Sequence, residues 1–372
     1  MWLVPRFFVV LIFLLTASAC AERSYTPVMS EALSVGQPVT VFAGTIRAQE
    51  KGGQFGYHRS NNLRHLELTV SIPPSHQPGT LNFGYAKPNP HTQFTLAGQH
   101  VFSNSSDFKA RLRRELARRP ANEREVTIFV HGYNTTQNET VFRAAQIAHD
   151  ISLPGPTVIY SWPSRGKALA YAYDNDSVLF ARDGLERLLR QISETGARRI
   201  LLVAHSIGST LTMETLRQID IDTPGWPARN LAGVVLISPD LDVEVFRSQM
   251  QRISRVPEPF LIFVSHKDKV LNLSARLRGT SQQDRLGNIQ NSEMVADLPV
   301  QVIDTTAFSD GAESSHFVPA TSPALIALIR KAASINTTFR DEQITITSVL
   351  TGRPETGPPV RVPMDALRLL AR

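Results

Sequence analysis

The stretch Ile200-Leu-Leu-Val-Ala-His-Ser-Ile-Gly-Ser-Thr210 constrains this chain more than any other. Residues 200–204 form an uninterrupted apolar run, the pattern of a strand buried on both faces of a parallel sheet. Beyond Ser206, Leu211, Met213 and Leu216 return at helix-like spacing. Between the two lies Ala204-His205-Ser206-Ile207-Gly208, a small-x-Ser-x-Gly turn. A strand that turns into a helix at a single serine needs a backbone so tight that only small residues fit two places before and two after it. Ala204 and Gly208 meet that need, Ala204 standing where glycine is commoner. Ser206 is then expected to project from the carboxyl end of the strand, at a helix N-terminus where negative charge is favoured. The plainer alternative is a serine that caps an ordinary helix.

Around this stretch the apolar pattern alternates between strand and helix. Strands are predicted over residues 39–43, 66–72, 126–130, 157–161, 200–204, 233–237, 260–264 and 300–303. Helices are predicted after Ser106 (apolar face Phe108, Leu112, Leu116) and over residues 141–151, 178–195, 243–250 and 322–333. Residues 48–62 read as a loop and 78–98 as an irregular excursion rich in Pro, Gly and Asn. Repeated strand–helix alternation implies an α/β fold with a mostly parallel central sheet and helices on both faces. Between Ser238 and Phe260 there is room for one helix, so no large cap domain is expected and the site should be relatively open. Residues 166–177 read as a long loop at the carboxyl edge of a strand, where ligands bind in open α/β sheets. Trp162, Tyr171 and Tyr173 there either line a pocket or simply pack.

A serine hydroxyl needs a base, an orienter for the base and donors for the oxyanion. In a fold with this elbow the order along the chain is Ser, acid, His. Only His266 and His316 follow Ser206. His316, in a loop between the last strand and the last helix, is the expected base; His266 is too close to Asp268 to use it as orienter. Asp268, after the penultimate strand, is the favoured acid. Asp240, after the strand before, is its rival and a possible helix cap, with Asp242 a weaker third. The oxyanion donors should be the backbone N–H groups of Ile207 and Tyr133, the latter in His131-Gly132-Tyr133-Asn134 directly after a buried strand. His131 reads as a structural residue at that strand's end. Neither a His-Glu-x-x-His pattern nor a cysteine pair is present, so no metal or other cofactor is expected.

The N-terminus points to the cell envelope. A weakly basic start precedes an apolar run at residues 7–15, of signal-peptide length and too short to span a bilayer. Ala17-Ser-Ala-Cys20 follows, resembling the site where bacterial lipoproteins are cleaved before a lipidated cysteine. Cys20 is the single cysteine, which excludes an intrachain disulfide. Cleavage after the Ala-x-Ala pattern and an uncleaved anchor are the alternatives. Ala21 after the cysteine suggests an outer-membrane lipoprotein facing the periplasm. Lys and Arg number 39 against 33 Asp and Glu, but no aromatic residues interleave the Arg groups at 111–114 and 118–119, so nucleic acid is not an expected partner. The organisation expected is a signal peptide (1–19), a tether (20–37), one α/β domain (38–335) and a Pro-rich C-terminal tail (336–372) with no assigned role.

The elements Phe129-Val-His-Gly-Tyr-Asn134, Tyr160-Ser-Trp-Pro-Ser164, Ala204-His-Ser-Ile-Gly208, Ser238-Pro-Asp240 and Ser314-Ser-His316 together resemble the bacterial α/β-hydrolase family of unknown function, DUF900. The resemblance spans residues 39–333, with Ile207 where relatives often have Met. It implies the α/β-hydrolase fold, Ser206 as nucleophile, His316 as base and Asp268 as acid. The family has no settled substrate. The expectation is a serine hydrolase for small-molecule or lipid carboxylic esters, tethered to the membrane by a lipid. A thioesterase, amidase or acyltransferase using the same residues, or an inactive envelope scaffold on the same fold, are the alternatives.

Overall fold

The computed structural model describes residue 23 and residues 26–327, apart from 154, 280, 282–283, 290–291 and 313. The expected signal peptide, Cys20 and the expected C-terminal tail lie outside the described residues. The strands are β1 (Gln37–Gln49), β2 (Phe55–Ile72), β3 (Thr95–Val101), β4 (Glu125–Val130), β5 (Thr157–Ser161), β6 (Arg199–His205), β7 (Leu231–Ile237), β8 (Phe260–Val264) and β9 (Gln301–Asp304). The helices are α1 (Ser105–Ala117), α2 (Gln137–Ile151), α3 (Tyr171–Ser193), α4 (Ile207–Asp222), α5 (Trp226–Asn230), α6 (Val243–Arg252), α7 (Lys269–Arg278) and α8 (Val318–Thr321).

The nine strands form one sheet in the order β3-β2-β1-β5-β4-β6-β7-β8-β9. From β1 through β9 every neighbouring pair in that order is parallel, whereas β2 is antiparallel to both β1 and β3. The two-residue period of the strands sorts their side chains onto two faces. Val126, Ile128, Ile200, Leu202, Val234, Leu236 and Ile262 pack with the apolar stripes of α1, α3, α4 and α6. Phe129, Ile159, Ile237, Leu261 and Phe263 pack on the other side with Val141, Phe142 and Ala145 of α2 and with Phe317 and Val318 near α8. Both faces are therefore covered, and the parallel strands lie between two apolar layers. This is the α/β-hydrolase fold.

Local sequence explains the helix starts. The Asn104 side chain caps α1 by accepting from the Asp107 N–H, and Phe108, Leu112 and Leu116 face inward as the spacing predicts. A capping box opens α2: Thr136 accepts from the Glu139 N–H, and the Glu139 carboxylate accepts from the Thr136 N–H. The segment between β7 and β8 holds α6 and no large cap.

Four stretches differ from the sequence reading. The loop expected over residues 48–62 is the tip of a long β1–β2 hairpin, pairing through Arg47↔Arg59 and Gln49↔Phe55. Its polar composition suggested a loop, but the ladder extends beyond the layers that bury the sheet. The excursion expected over 78–98 ends in β3, which pairs with β2 from Thr95 onward. The loop expected over 166–177 is helical from Tyr171, its first turn held by Asp174. The tether expected over residues 20–37 packs from Thr26 onward: Met29 N–H donates to Leu96 O (2.8 Å), and Ser71 Oγ donates to Ala32 O (2.8 Å). Of the last expected helix, residues 323–327 are helical, and its remainder lies outside the described residues.

Candidate active site

Ser206 stands between β6 and α4 with φ 55° and ψ −129°, a left-handed conformation that an L-residue adopts only under constraint. The constraint is visible on both sides. Its N–H donates to Ile237 O of the neighbouring strand (3.0 Å), and its carbonyl accepts the Asp240 N–H (3.2 Å). A Cβ at position 208 would lie 2.4 Å from His131 O and 2.9 Å from Val130 O, so only glycine lets α4 leave the turn this close to β4. A Cβ on Gly132 would meet the Ser206 Cβ at 2.9 Å. The loop after β4 thus packs directly on the serine, which puts the Tyr133 backbone beside the elbow. The alternative reading of Ser206 as an ordinary cap finds no side-chain cap bond at the start of α4.

His316 comes from the loop after β9. Its Nδ1–H donates to Asp268 Oδ2 at 2.6 Å, and the Asp268 side chain is wholly buried. The other oxygen, Oδ1, accepts the N–H groups of Val270 (2.9 Å) and Leu271 (3.1 Å), so Asp268 also caps α7. The two oxygens are divided: one is fixed by the helix, and the other holds the imidazole. This leaves Nε2 of His316 as the acceptor nitrogen. The His316 ring lies against His205, the residue before Ser206, with centroids 4.7 Å apart. His205 clamps the loop further, its Nε2–H donating to His316 O (3.0 Å) and its ring stacking on Phe317 (4.1 Å). Burial, and then the nearby His316, hold the His205 pKa well below its ordinary value, so this ring is a neutral spacer.

The structure places the three candidate acids apart. Asp240 does not pair with His316. Its carboxylate accepts from Ser274 Oγ (2.7 and 2.8 Å) and from Tyr171 OH (2.7 Å), and Arg285 Nε lies 3.6 Å away. Asp242 caps α6, accepting from Glu244 and Val245 N–H, the role the sequence offered to Asp240. His266 sits near Asp304 (3.4 Å) rather than at the elbow.

A buried polar network, missed at the sequence level, supports the loop that carries Tyr133. Arg47 is fully enclosed and donates to Ser161 Oγ (2.9 Å), Gly56 O (3.1 Å), Ser164 O (3.0 Å) and Thr135 O (2.8 Å). Desolvation lowers its pKa to about 10, against the favourable charge of Asp174. Asp174 in turn accepts from Ser164 Oγ (2.6 Å), Arg165 N–H (2.7 Å) and Asn134 N–H (3.2 Å). His131 stacks on Trp162 (4.7 Å, 6°), and Trp162 Nε1–H donates to His131 O (2.8 Å). Burial, then the Arg47 charge, push the His131 pKa down to about 3, so it is a neutral structural group as its position suggested. Trp162 is buried packing, and Tyr173 bonds Tyr57 O away from the elbow. Tyr171 packs edge-on against Tyr133 (5.4 Å) and links it to Asp240. Arg47 lies near the end of an apolar strand and Asp174 lies in a polar stretch, and neither side chain's burial is legible locally because it depends on distant elements.

Among the described residues one group offers three metal-ligating atoms within 4.8 Å of one another: His76, His149 and Asp150. These atoms bond each other, with His76 Nε2 at 2.6 Å and His149 Nδ1 at 3.0 Å from Asp150 Oδ1. Burial raises the Asp150 pKa, but the hydrogen bonds from His76, Gln146, Gly79 and His149 outweigh it and bring it to about 2. The cluster pins the 73–94 excursion to the far end of α2 and does not reach Ser206.

No curated protein matches the sequence. Among solved structures, the chain is similar to a putative hydrolase from Agrobacterium vitis S4 (11% identity, 75% of this chain and 95% of that one, TM-score 0.38). A dienelactone hydrolase-like promiscuous phosphotriesterase from metagenomic libraries is similar at 11% identity, over 82% and 99% of the two chains, with a TM-score of 0.37. An esterase of Pyrobaculum calidifontis is similar at 12% identity, over 82% and 86%, with a TM-score of 0.34. The family model described as alpha/beta hydrolase of unknown function (DUF900) matches residues 104–332, more than half of the chain and all of the segment from α1 to α8. The chain therefore belongs to the α/β hydrolases of the DUF900 family.

Proposed function

We propose that this protein is a serine hydrolase that cleaves carboxylic esters at the bacterial cell envelope, with Ser206 as nucleophile, His316 as general base and Asp268 as its orienter. The observation that carries the reading is the 2.6 Å bond from His316 Nδ1 to a buried Asp268, on a ring held against the residue before the strained Ser206. In this mechanism His316 Nε2 takes the Ser206 proton as Oγ attacks the acyl carbon. The oxyanion accepts the N–H groups of Tyr133 and Ile207, which are fixed in place before the charge develops. The imidazolium then protonates the departing alkoxide, leaving an acyl-serine and an alcohol. Water gives its proton to His316 and attacks the acyl carbon, and the proton returns to Ser206 as the acid leaves. The buried Asp268 charge stabilises the imidazolium in both halves.

For location, the lipoprotein-like Ala17-Ser-Ala-Cys20 sequence supports a lipid anchor on Cys20 and an outer-membrane, periplasm-facing site. Among the described residues no helix is long and apolar enough to cross a membrane. A fluorophosphonate probe tests the catalytic reading. Labelling of the full chain that disappears in Ser206→Ala supports it, and a folded protein that takes no label is a scaffold instead. A panel of ester, thioester and amide substrates then separates the acyl-transfer chemistries.

A further inference from the structure

The carboxyl edge of the sheet carries apolar side chains that no described residue covers. Leu169, in the segment before α3, is 101% exposed, and Leu273 on α7 is 57% exposed, with Val270 one turn earlier at 40%. They rise from neighbouring segments: Tyr171 OH and Ser274 Oγ are 2.7 Å apart, which ties the start of α3 to α7. Both segments border the candidate site. The Tyr133 hydroxyl bonds Ala168 O, next to Leu169, and α7 begins at the Asp268 that holds His316. Exposed Lys167 and Lys269 flank the leucines. Apolar tips interspersed with lysines, beside the candidate site, are the chemistry of a surface that enters the headgroup region of a bilayer.

A second observation fixes the occupant. Arg23 Nη1 donates to Gly166 O (2.9 Å) and to Asn134 Oδ1 (2.9 Å), and its guanidinium pairs with Glu139 (2.8 Å). The N-terminal segment is thereby fastened to the two loops that carry Leu169 and Tyr133. Only two residues separate Arg23 from Cys20, so the covalent reach of the chain keeps a lipid-bearing Cys20 within roughly 11 Å of Arg23. A lipid on Cys20, as proposed above, would start from the edge of the molecule at which Arg23 is bound and Leu169 is exposed.

We infer that the surface formed by Lys167, Leu169, Lys269, Val270 and Leu273 docks on a phospholipid bilayer, so that the candidate site at Ser206 faces the membrane and takes its ester from the leaflet. This rests on the hydrolase reading above and names its substrate class as membrane-resident acyl esters rather than freely diffusing ones.

Site-directed fluorescence tests it on the full chain. An environment-sensitive thiol probe is attached at Leu169→Cys, at Leu273→Cys, and at Glu194→Cys on the opposite sheet edge. Each protein is mixed with vesicles of phosphatidylcholine and phosphatidylglycerol carrying nitroxide lipids. Docking predicts strong quenching at 169 and 273 and little at 194; equal quenching at all three positions overturns it. The unsubstituted chain, whose single cysteine is Cys20, is the control. If that thiol is acylated it takes no probe, which reads the anchor separately. In a second arm, the double variant Leu169→Asp, Leu273→Asp loses about tenfold or more in turnover of an ester embedded in vesicles, as expected when two leucines no longer leave water, and stays within about twofold on a short soluble ester. Equal turnover of the embedded ester by variant and parent overturns docking. Absence of turnover on both esters in the parent overturns the hydrolase reading instead.

Discussion

Asp268 and Asp240 are both buried, both follow strands of the same sheet and both touch the surroundings of Ser206, yet the structure gives opposite expectations for their removal. In Asp268→Asn the amide oxygen still accepts the Val270 and Leu271 N–H groups, so the cap on α7 survives and stability should change by only a few tenths of a kcal/mol, roughly. The amide nitrogen now faces His316 Nδ1. To accept that hydrogen the ring must move its own to Nε2, the nitrogen the mechanism needs free. A wrong tautomer in this position costs on the order of 10⁴ in kcat, about 5.4 kcal/mol of barrier. Asp268→Ala loses the cap as well and should fall by a further ~1 kcal/mol in stability. Asp240→Asn acts differently. It removes the carboxylate charge 3.6 Å from Arg285, in a place where both side chains are 3% exposed. Taking one partner from a buried ion pair costs about 3 kcal/mol or more in stability. The folded fraction, with His316 and Asp268 untouched, should keep kcat within about tenfold. Urea denaturation with kcat on a p-nitrophenyl ester reads both axes for each variant. An Asp240→Asn protein of normal stability and no turnover, beside an active Asp268→Asn protein, would refute the assignment of the acid.

Further predictions follow from the same geometry. Gly132→Ala puts a Cβ 2.9 Å from Ser206 Cβ and from His205 Nδ1; the loop must retreat, so kcat for esters should fall more than tenfold while stability drops by about 1–3 kcal/mol in urea titration. Arg47→Met removes four hydrogen bonds, to Gly56 in the hairpin and to Ser161, Ser164 and Thr135, and takes the favourable charge from Asp174; a loss of about 3–5 kcal/mol in chemical denaturation is expected. The buried neutral histidines set the acid limb of stability. His131 and His205 have folded pKa values below their unfolded ones, so the unfolded chain binds more protons below about pH 6.5 and stability falls with pH from there. Each contributes about 1.4 kcal/mol per pH unit, for His131 down to about pH 3. Denaturation midpoints measured between pH 7 and 5 should decline, and His205→Gln should show a shallower decline; a parent flat across that range would contradict the burial argument.

Much of the fold was written locally. The apolar run of residues 200–204, the small residues at 204 and 208 and the helical spacing beyond them admit one backbone course, because a Cβ at 208 has nowhere to go. The strands at 157–161 and 260–264 match their observed bounds because Val158-Ile-Tyr160 and Phe260-Leu-Ile-Phe-Val264 are unbroken apolar runs with no second face to offer water. The β1–β2 hairpin tip, β3 and the first turn of α3 were illegible, since their order comes from pairing with distant chain or from Asp174 reaching Arg165 and Asn134 rather than from their own composition. Cys20 and the flanking signal-like sequence speak only in the sequence.

At the site the division is sharper. Sequence alone named Ser206, because strain at a tight turn restricts its near neighbours, and took His316 over His266 as the expected base by chain order and loop position. It favoured Asp268 and kept Asp240 as a rival, since both follow apolar strands and both stand near plausible helices. Tertiary structure separates their surroundings, by bringing the loop after β9 across to β8 so that the Asp268 carboxylate meets the imidazole at 2.6 Å while Asp240 is enclosed with Ser274, Tyr171 and Arg285. A nucleophile's strain is paid out within a few residues and so leaves a local trace; which acid serves which histidine depends on how far-separated loops converge in space, and no short stretch of chain records that.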